Sequence, residues 1–189
     1  MSPPRDAPRE APVIAVVGPS GAGKDSLMLE LSQAVPGLRR VRRVITRAPE
    51  AGGENYRAVS VAEFSALAEA DAFALHWQAH GLHYGIPREI GDLRMGAAGV
   101  LVNLSRGVLP EAQARFGNLI VLSVSAAPGV LAARLAARGR EAGAALEGRL
   151  ARAACRLPPG LACVHEIDNS GRLADAVAAA VAALQPERG

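Results

Sequence analysis

Lysine is almost missing from this chain. Of the 21 lysine and arginine residues in its 189, only Lys24 is a lysine. Aromatic residues make up 3% of the sequence, so the core must be built mainly from Ala, Val and Leu. The only cysteines are Cys155 and Cys163. Two are too few for a disulfide framework and do not have zinc-ligand spacing, which points to reduced thiols and a cytoplasmic protein. Long hydrophobic runs are lacking too: Ala176 to Leu184, near the end, is too short and too rich in alanine to span a bilayer. Met1 to Pro12 is proline-rich and charged, which predicts a mobile tail rather than a signal peptide. No basic strand studded with aromatics supports nucleic-acid binding, and a net charge of +3 suits a small anionic ligand equally well. The expected partner is therefore a small molecule, with neither nucleic acid nor membrane. A homodimer is compatible with the sequence but not specified by it.

Against these absences one stretch stands out. Val13-Ile14-Ala15-Val16-Val17 is a continuous apolar run that predicts a buried parallel strand. Gly18-Pro19-Ser20-Gly21-Ala22-Gly23-Lys24 follows, with two glycines and a lysine at phosphate-loop spacing, and a helical pattern begins near Lys24. The glycines let the backbone curl so that N–H groups point at a phosphate, and the helix N-terminus adds its positive end. The sole lysine stands where a compact ammonium is needed to reach the β- and γ-phosphates and a planar guanidinium is a poor substitute. After the lysine the motif asks for Ser or Thr, but the chain has Asp25, with Ser26 one place later. Ser26 is the candidate magnesium hydroxyl; Asp25 has the alternative role of hydrogen-bonding a magnesium-bound water.

Further along, apolar runs at Gly99–Leu104, Leu119–Val124 and His165–Ile167 alternate with helical patterns at Ser26–Val35, Leu109–Phe116, from Pro128 onward, and at Gly171–Leu184. Alternation of this kind predicts an α/β fold, a parallel sheet covered on both faces. Between them, Leu38–Arg47 is expected to form a strand, Val61–Ala70 a helix, Phe73–Tyr84 a strand pair turning at Gly81, and Pro87–Met95 a helix opened by proline. The expected organisation is the tail 1–12 and one domain 13–189, with an inserted acceptor lobe at about 38–86 and a helical lid at about 134–152.

Three groups carry candidate chemistry beyond the loop. Arg134, Arg138, Arg140, Arg149 and Arg152 flank Gly139 and Gly143, as two helical arms would if they folded over a triphosphate; a solvated basic helix face is the plainer alternative. Arg39, Arg40, Arg42, Arg43, Thr46, Arg47 and Tyr56 form a basic set suited to clamping an acceptor's phosphate. His76, His80 and His83 lie with Trp77 and Tyr84 in one segment. Alternation puts His76 and Trp77 on opposite faces, so these residues do not all line one site. No Ser-His-Asp or Cys-His arrangement is evident, and Asn103 stands where a carboxylate would follow the second core strand. A phosphate acceptor is already anionic and needs no general base.

The order of these pieces resembles the guanylate kinase family, a P-loop NTPase fold of the nucleoside monophosphate kinase type with three layers. Gly18 to Lys24 matches its phosphate loop, and Thr46-Arg47 with Gly53-Glu54 and Tyr56 resembles its acceptor-phosphate segment. Phe73 to Gly85 runs in register with its following hairpin, while Arg134, Arg138-Gly139, Arg149 and the loop at Asn169 resemble its lid and adenine edge. Leu75 stands where that family carries the glutamate that reads guanine, Asn103 and Ser105 where it has carboxylates, and Glu50 and Ala51 near its second acceptor arginine. Leucine cannot accept from a guanine edge, which disfavours GMP. The wording of the loop, of Thr46-Arg47 with Gly52-Gly53-Glu54-Asn55, and of Phe73 to Pro87 is similar to a narrower family, the ribose 1,5-bisphosphate phosphokinases of phosphonate breakdown.

That resemblance implies phosphoryl transfer from ATP, with Mg2+, to ribose 1,5-bisphosphate, giving ADP and 5-phosphoribosyl 1-diphosphate. It implies ATP binding by Gly18, Pro19, Ser20, Gly21, Ala22, Gly23, Lys24, Asp25, Ser26, Arg134 and Asn169. Lys24, Arg138 and Arg149 would meet transition-state charge. Arg47 and Tyr56 would hold the acceptor phosphate, with His76, His83, Tyr84 and Asn103 as further acceptor contacts. The competing readings are a nucleoside monophosphate kinase for GMP and a non-catalytic module that binds phosphorylated ligands.

Overall fold

A computed structural model describes residues 10–48, 55–137 and 156–185. The strand predicted at Val13–Val17 (β1) has all five side chains buried. It is the middle of a five-stranded sheet that also contains β2 (Leu38–Arg40), β7 (Gly99–Asn103), β8 (Leu119–Ser125) and β9 (Val164–Asp168), in the order β2-β7-β1-β8-β9. Every pairing in it is parallel, with Val16 beside Asn103 and Val17 beside Ser123. The carboxyl ends of the strands therefore open onto one rim, where parallel α/β sheets place their ligands.

Successive residues of β1 serve opposite faces. Ile14 and Val16 pack with Leu27, Met28 and Leu31 of α1 (Lys24–Ala34), Leu131 of α5 (Pro128–Ala137) and Ala176 and Ala180 of α6 (Leu173–Leu184). Val13, Ala15 and Val17 pack with Ile90 of α3 (Ile90–Arg94) and Leu109, Ala112 and Phe116 of α4 (Leu109–Phe116). The small side chains of α6 let it lie close against α1, so the core needs few rings. Among the described residues no helix is long and apolar enough to cross a membrane.

A second sheet forms the lobe, in the order β4-β3-β6-β5. Its strands are β3 (Val44–Ile45), β4 (Arg57–Ala58), β5 (Phe73–Ala79) and β6 (Leu82–Pro87). The β5–β6 turn is His80-Gly81, with φ of 53° and 73°, the left-handed pair that a two-residue hairpin demands. Helix α2 (Val61–Glu69) starts with a capping box: the Glu63 N–H donates to Ser60 Oγ, and the Ser60 N–H donates to Glu63 Oε2 at 2.7 Å. The Ser60 N–H, and after it the Ser60 hydroxyl, hold the exposed Glu63 carboxyl below its usual range.

Two expectations need correction. Leu38–Arg47 is not one strand. Leu38–Arg40 belongs to the parallel sheet, the Val41 N–H still donates to Leu101 O, and the chain then crosses to the lobe, where Val44 and Ile45 pair with Gly85 and Tyr84. The imperfect alternation marks this change of sheet, because Arg43 turns inward and is buried. Pro87 closes β6 instead of opening a helix, and helix α3 begins at Ile90. Proline is tolerated there because it lies opposite the irregularity between Phe73 and Leu75 of β5.

Candidate active site

The phosphate loop leaves the end of β1. Gly18 has φ +152°, and a Cβ there would lie 2.2 Å from the Val124 carbonyl oxygen of β8. Gly23 has φ +85°, and its Cβ would meet Asn169 Nδ2 at 2.5 Å. Both are glycine because the loop is pressed against neighbouring backbone and side chain in a conformation that L-residues avoid. Lys24 follows, at the first position of α1, and its ammonium donates to Gly18 O at 2.9 Å and Pro19 O at 3.0 Å. The only lysine is thus held across the mouth of the glycine turn. Ser26 lies exposed in the first turn of α1. Its open hydroxyl beside Lys24 fits a magnesium ligand.

Arg134 and Asn169 support the loop from outside. Asn169 is buried, and its Nδ2 donates to Ala22 O at 2.7 Å. Arg134 donates from Nη2 to Asn169 O at 2.9 Å and from Nη1 to Gly21 O at 3.4 Å. The Asn169 loop is itself set by its neighbours: the Asn169 N–H donates to Ser125 O, the Ser170 N–H to Asp168 Oδ1, and the Ala127 N–H to Ser170 Oγ. The Ser170 hydroxyl and N–H also hold the Asp168 carboxyl below its usual range. Asn169 Oδ1 is buried without a hydrogen-bond partner among the described residues, leaving one acceptor beside the loop.

The neighbouring strand carries the residues expected to face the acceptor. Asn103, buried at the end of β7, donates from Nδ2 to Asp25 Oδ1 at 3.3 Å, so Asp25 is tied sideways to the sheet. Two residues on, Ser105 Oγ accepts from Trp77 Nε1 at 3.0 Å, which fastens the lobe to the same strand end. A cleft of about 380 Å³ opens beside Asp25 and Met28 of α1, with Arg39, Arg40, Val41, Arg42 and Asn55 on its other walls. Arg42 is braced by Tyr56 O at 3.1 Å, and Arg39 by Leu93 O at 3.0 Å. Three arginines of the basic set read from the sequence, Arg39, Arg40 and Arg42, are therefore gathered next to the phosphate-loop helix.

Other expected site residues fall into two groups. Arg47 and Tyr56 come together, with the guanidinium carbon 5.8 Å from the ring centroid, and the Tyr56 hydroxyl donates to Ala48 O. Arg47 also lines a second cleft, of about 320 Å³, with Thr46, Ser60 and Glu63. Tyr84 joins Trp77, Tyr56 and Leu75 on the buried face of the lobe. His76 and His83 are on the opposite face, against Phe64 of α2, with ring centroids 6.3 and 5.3 Å away. A bulge between Phe73 and Leu75 turns Phe73 to that face too, where its ring covers Gly85. The structure thus separates the histidines from Tyr84 and Asn103. Arg138 and Arg149 lie outside the described residues. Two arginines are buried without a sequence signal for that burial, Arg43 of the basic set and Arg94. Arg43 covers the Trp77–Tyr84 pair, and Arg94 joins Ala11 O (2.8 Å) and Phe116 O (3.2 Å) at the opposite edge of the domain.

This loop, sheet order and lobe define a P-loop kinase, and the solved structures agree on the fold. A guanylate kinase from Anaplasma phagocytophilum superposes with a TM-score of 0.66 at 16% identity, over 92% of this chain and 84% of that one. A gluconokinase from Sinorhizobium meliloti gives a TM-score of 0.55 at 20% identity, over 93% of both. Among curated proteins, the ribose 1,5-bisphosphate phosphokinase PhnN of Ruegeria sp. (strain TM1040) is 65% identical over all 189 residues of both chains. The protein of the same name from Pseudomonas paraeruginosa is 46% identical over 179 residues, 93% of this chain and 96% of its own. No protein-family model matches the chain. The chain belongs to the ribose 1,5-bisphosphate phosphokinase (PhnN) family, and it is a phosphotransferase that uses a nucleotide and acts on a small molecule.

Proposed function

We propose that this kinase transfers the γ-phosphoryl group of Mg-ATP to the 1-phosphate of ribose 1,5-bisphosphate, giving ADP and 5-phosphoribosyl 1-diphosphate, in the cytoplasm and in phosphonate catabolism. The observation that carries this reading is the contrast across the site. A lysine-bearing glycine loop lies on one side and an arginine-rich wall lacking base-reading carboxylates on the other, with Leu75 and Asn103 at the positions where guanylate kinases carry acids.

The residues suggest how the step proceeds. The loop N–H groups and the α1 N-terminus hold the donor phosphates, and Lys24 moves from the Gly18 and Pro19 carbonyls onto them. Ser26 would hold magnesium, which would neutralise charge shared by the donor phosphates. Arg47 and the cleft arginines orient the acceptor, whose phosphate oxygen attacks in line. That oxygen is already an anion, so no side chain has to remove a proton. The part-buried Asn103–Asp25 hydrogen bond keeps the acceptor side in register with the loop.

The test is ADP release from the purified protein with Mg-ATP and, separately, ribose 1,5-bisphosphate, ribose 5-phosphate or GMP. Turnover with the bisphosphate alone is expected. Preferential turnover with GMP would overturn the acceptor assignment, and ATP binding without turnover of any of the three would overturn the reaction.

A further inference from the structure

One arrangement on the acceptor side is unused by that mechanism. Trp77 and Tyr84 are cross-strand partners on β5 and β6, with ring centroids 5.3 Å apart and planes 8° from parallel. The Arg43 guanidinium carbon is 5.3 Å from the Tyr84 centroid and 6.0 Å from that of Trp77. In a three-layer sandwich the outer pair would be about twice as far apart as neighbours. Three nearly equal separations mean instead that Arg43 caps the seam between the rings. All three residues are buried, with 7% of Arg43, 9% of Trp77 and 7% of Tyr84 exposed. Through the Trp77–Ser105 hydrogen bond this group is fastened two residues beyond Asn103, the partner of Asp25 in the phosphate-loop helix.

A pair of parallel rings backed by Leu75 is a wall on which a flat, apolar ligand group would stack. Arginine is the one cation suited to covering it. The guanidinium is flat and weakly hydrated, so it lies on the rings and still donates in its own plane. Resting on the kinase reading above, we propose that Arg43 sets acceptor choice: it covers the aromatic wall a nucleobase would use, and offers there a fixed positive charge for the second phosphate of a sugar bisphosphate. Leu75 and Arg43 then act together, one withholding acceptors from a base and the other occupying its stacking surface.

Trp77 is the only tryptophan in the chain, so its emission reports on this seam. In the intact protein, ribose 1,5-bisphosphate is expected to change Trp77 emission at concentrations at least about tenfold below those needed with ribose 1-phosphate, and GMP to leave it unchanged. Arg43→Met keeps an apolar stem on the rings and removes the charge. It is expected to raise KM for ribose 1,5-bisphosphate about 10- to 100-fold, with kcat changed far less. Arg43→Ala is expected to let GMP quench Trp77. An unchanged KM in Arg43→Met, an equal response of the intact protein to the two sugar phosphates, or no response of Arg43→Ala to GMP would each overturn the proposal. If the variants do not fold, the emission of the intact protein decides. If the intact protein does not turn over ribose 1,5-bisphosphate, the reaction assignment fails, while the GMP comparison still judges Arg43 separately.

Discussion

On the proposed function, phosphate is met by backbone at the end of β1 and by side chains on the lobe side. Between Gly18 and Gly23 the useful groups are N–H donors and a helix end, and the supporting residues Arg134 and Asn169 bond to carbonyls of that backbone. Among the described residues the lobe side presents no such loop. The charge there comes from Arg39 and Arg40 of β2, Arg42 where the chain crosses, and Arg43 and Arg47 of the lobe, each steadied by a neighbour's carbonyl, a ring, or the wall of a cleft. A backbone site cannot be altered without altering the fold, and it serves any nucleotide triphosphate. A side-chain site can be rewritten one residue at a time. The proposed function thereby keeps the chemistry of the donor and the identity of the acceptor on different parts of the molecule.

The largest effect that would break this comparison is on Lys24. Lys24→Ala should lower kcat by about 10³-fold or more with every acceptor, while KM for the acceptor and the thermal transition stay close to the original. A folded and fully active variant would remove the donor assignment.

The next effect compares glycines. Gly18→Ala forces a Cβ to within 2.2 Å of a backbone oxygen at φ +152°, and should destabilise the protein by about 2–4 kcal/mol. Gly81, in the lobe hairpin, has φ +73° and nothing within 4 Å of its would-be Cβ, so Gly81→Ala should cost only about 1 kcal/mol. Urea unfolding of the two variants checks the difference; equal losses would mean that the loop is no more tightly built than the hairpin.

The smallest effect is pH-dependent. The capping-box bonds lower the folded-state pKa of Glu63. Its stabilising contribution is therefore complete above the unfolded-state pKa and disappears as pH falls through the folded one. The gap in Tm between the original protein and Glu63→Gln should be small at pH 7 and should close on acidification. A gap that widens in acid would reverse the sign.

The donor site was legible because it is local. A strand, a turn and a helix start lie within one short window, and their glycines and lysine announce the geometry. Alternation also separated His76 from Trp77 correctly. The break at Val41–Arg43 was harder to see, since basic residues at strand ends and a basic residue turned inward have the same composition. Pro87 was ambiguous for a related reason: proline both opens helices and closes strands, and only its partner strand tells which. Arg43 and Arg94 are buried by segments far away in sequence, so neither could be told from a solvated arginine.

By itself the sequence determined the phosphate loop and the α/β alternation, because these depend on residue type and short-range spacing. Only the tertiary structure decided which arginines gather beside α1, which face of the lobe carries the histidines, and that Arg43 lies on the Trp77–Tyr84 seam. Those facts depend on pairing between β5 and β6, on the bulge at Phe73 and on the crossing from one sheet to the other. Long-range register is set by burial of whole faces rather than by any local signal.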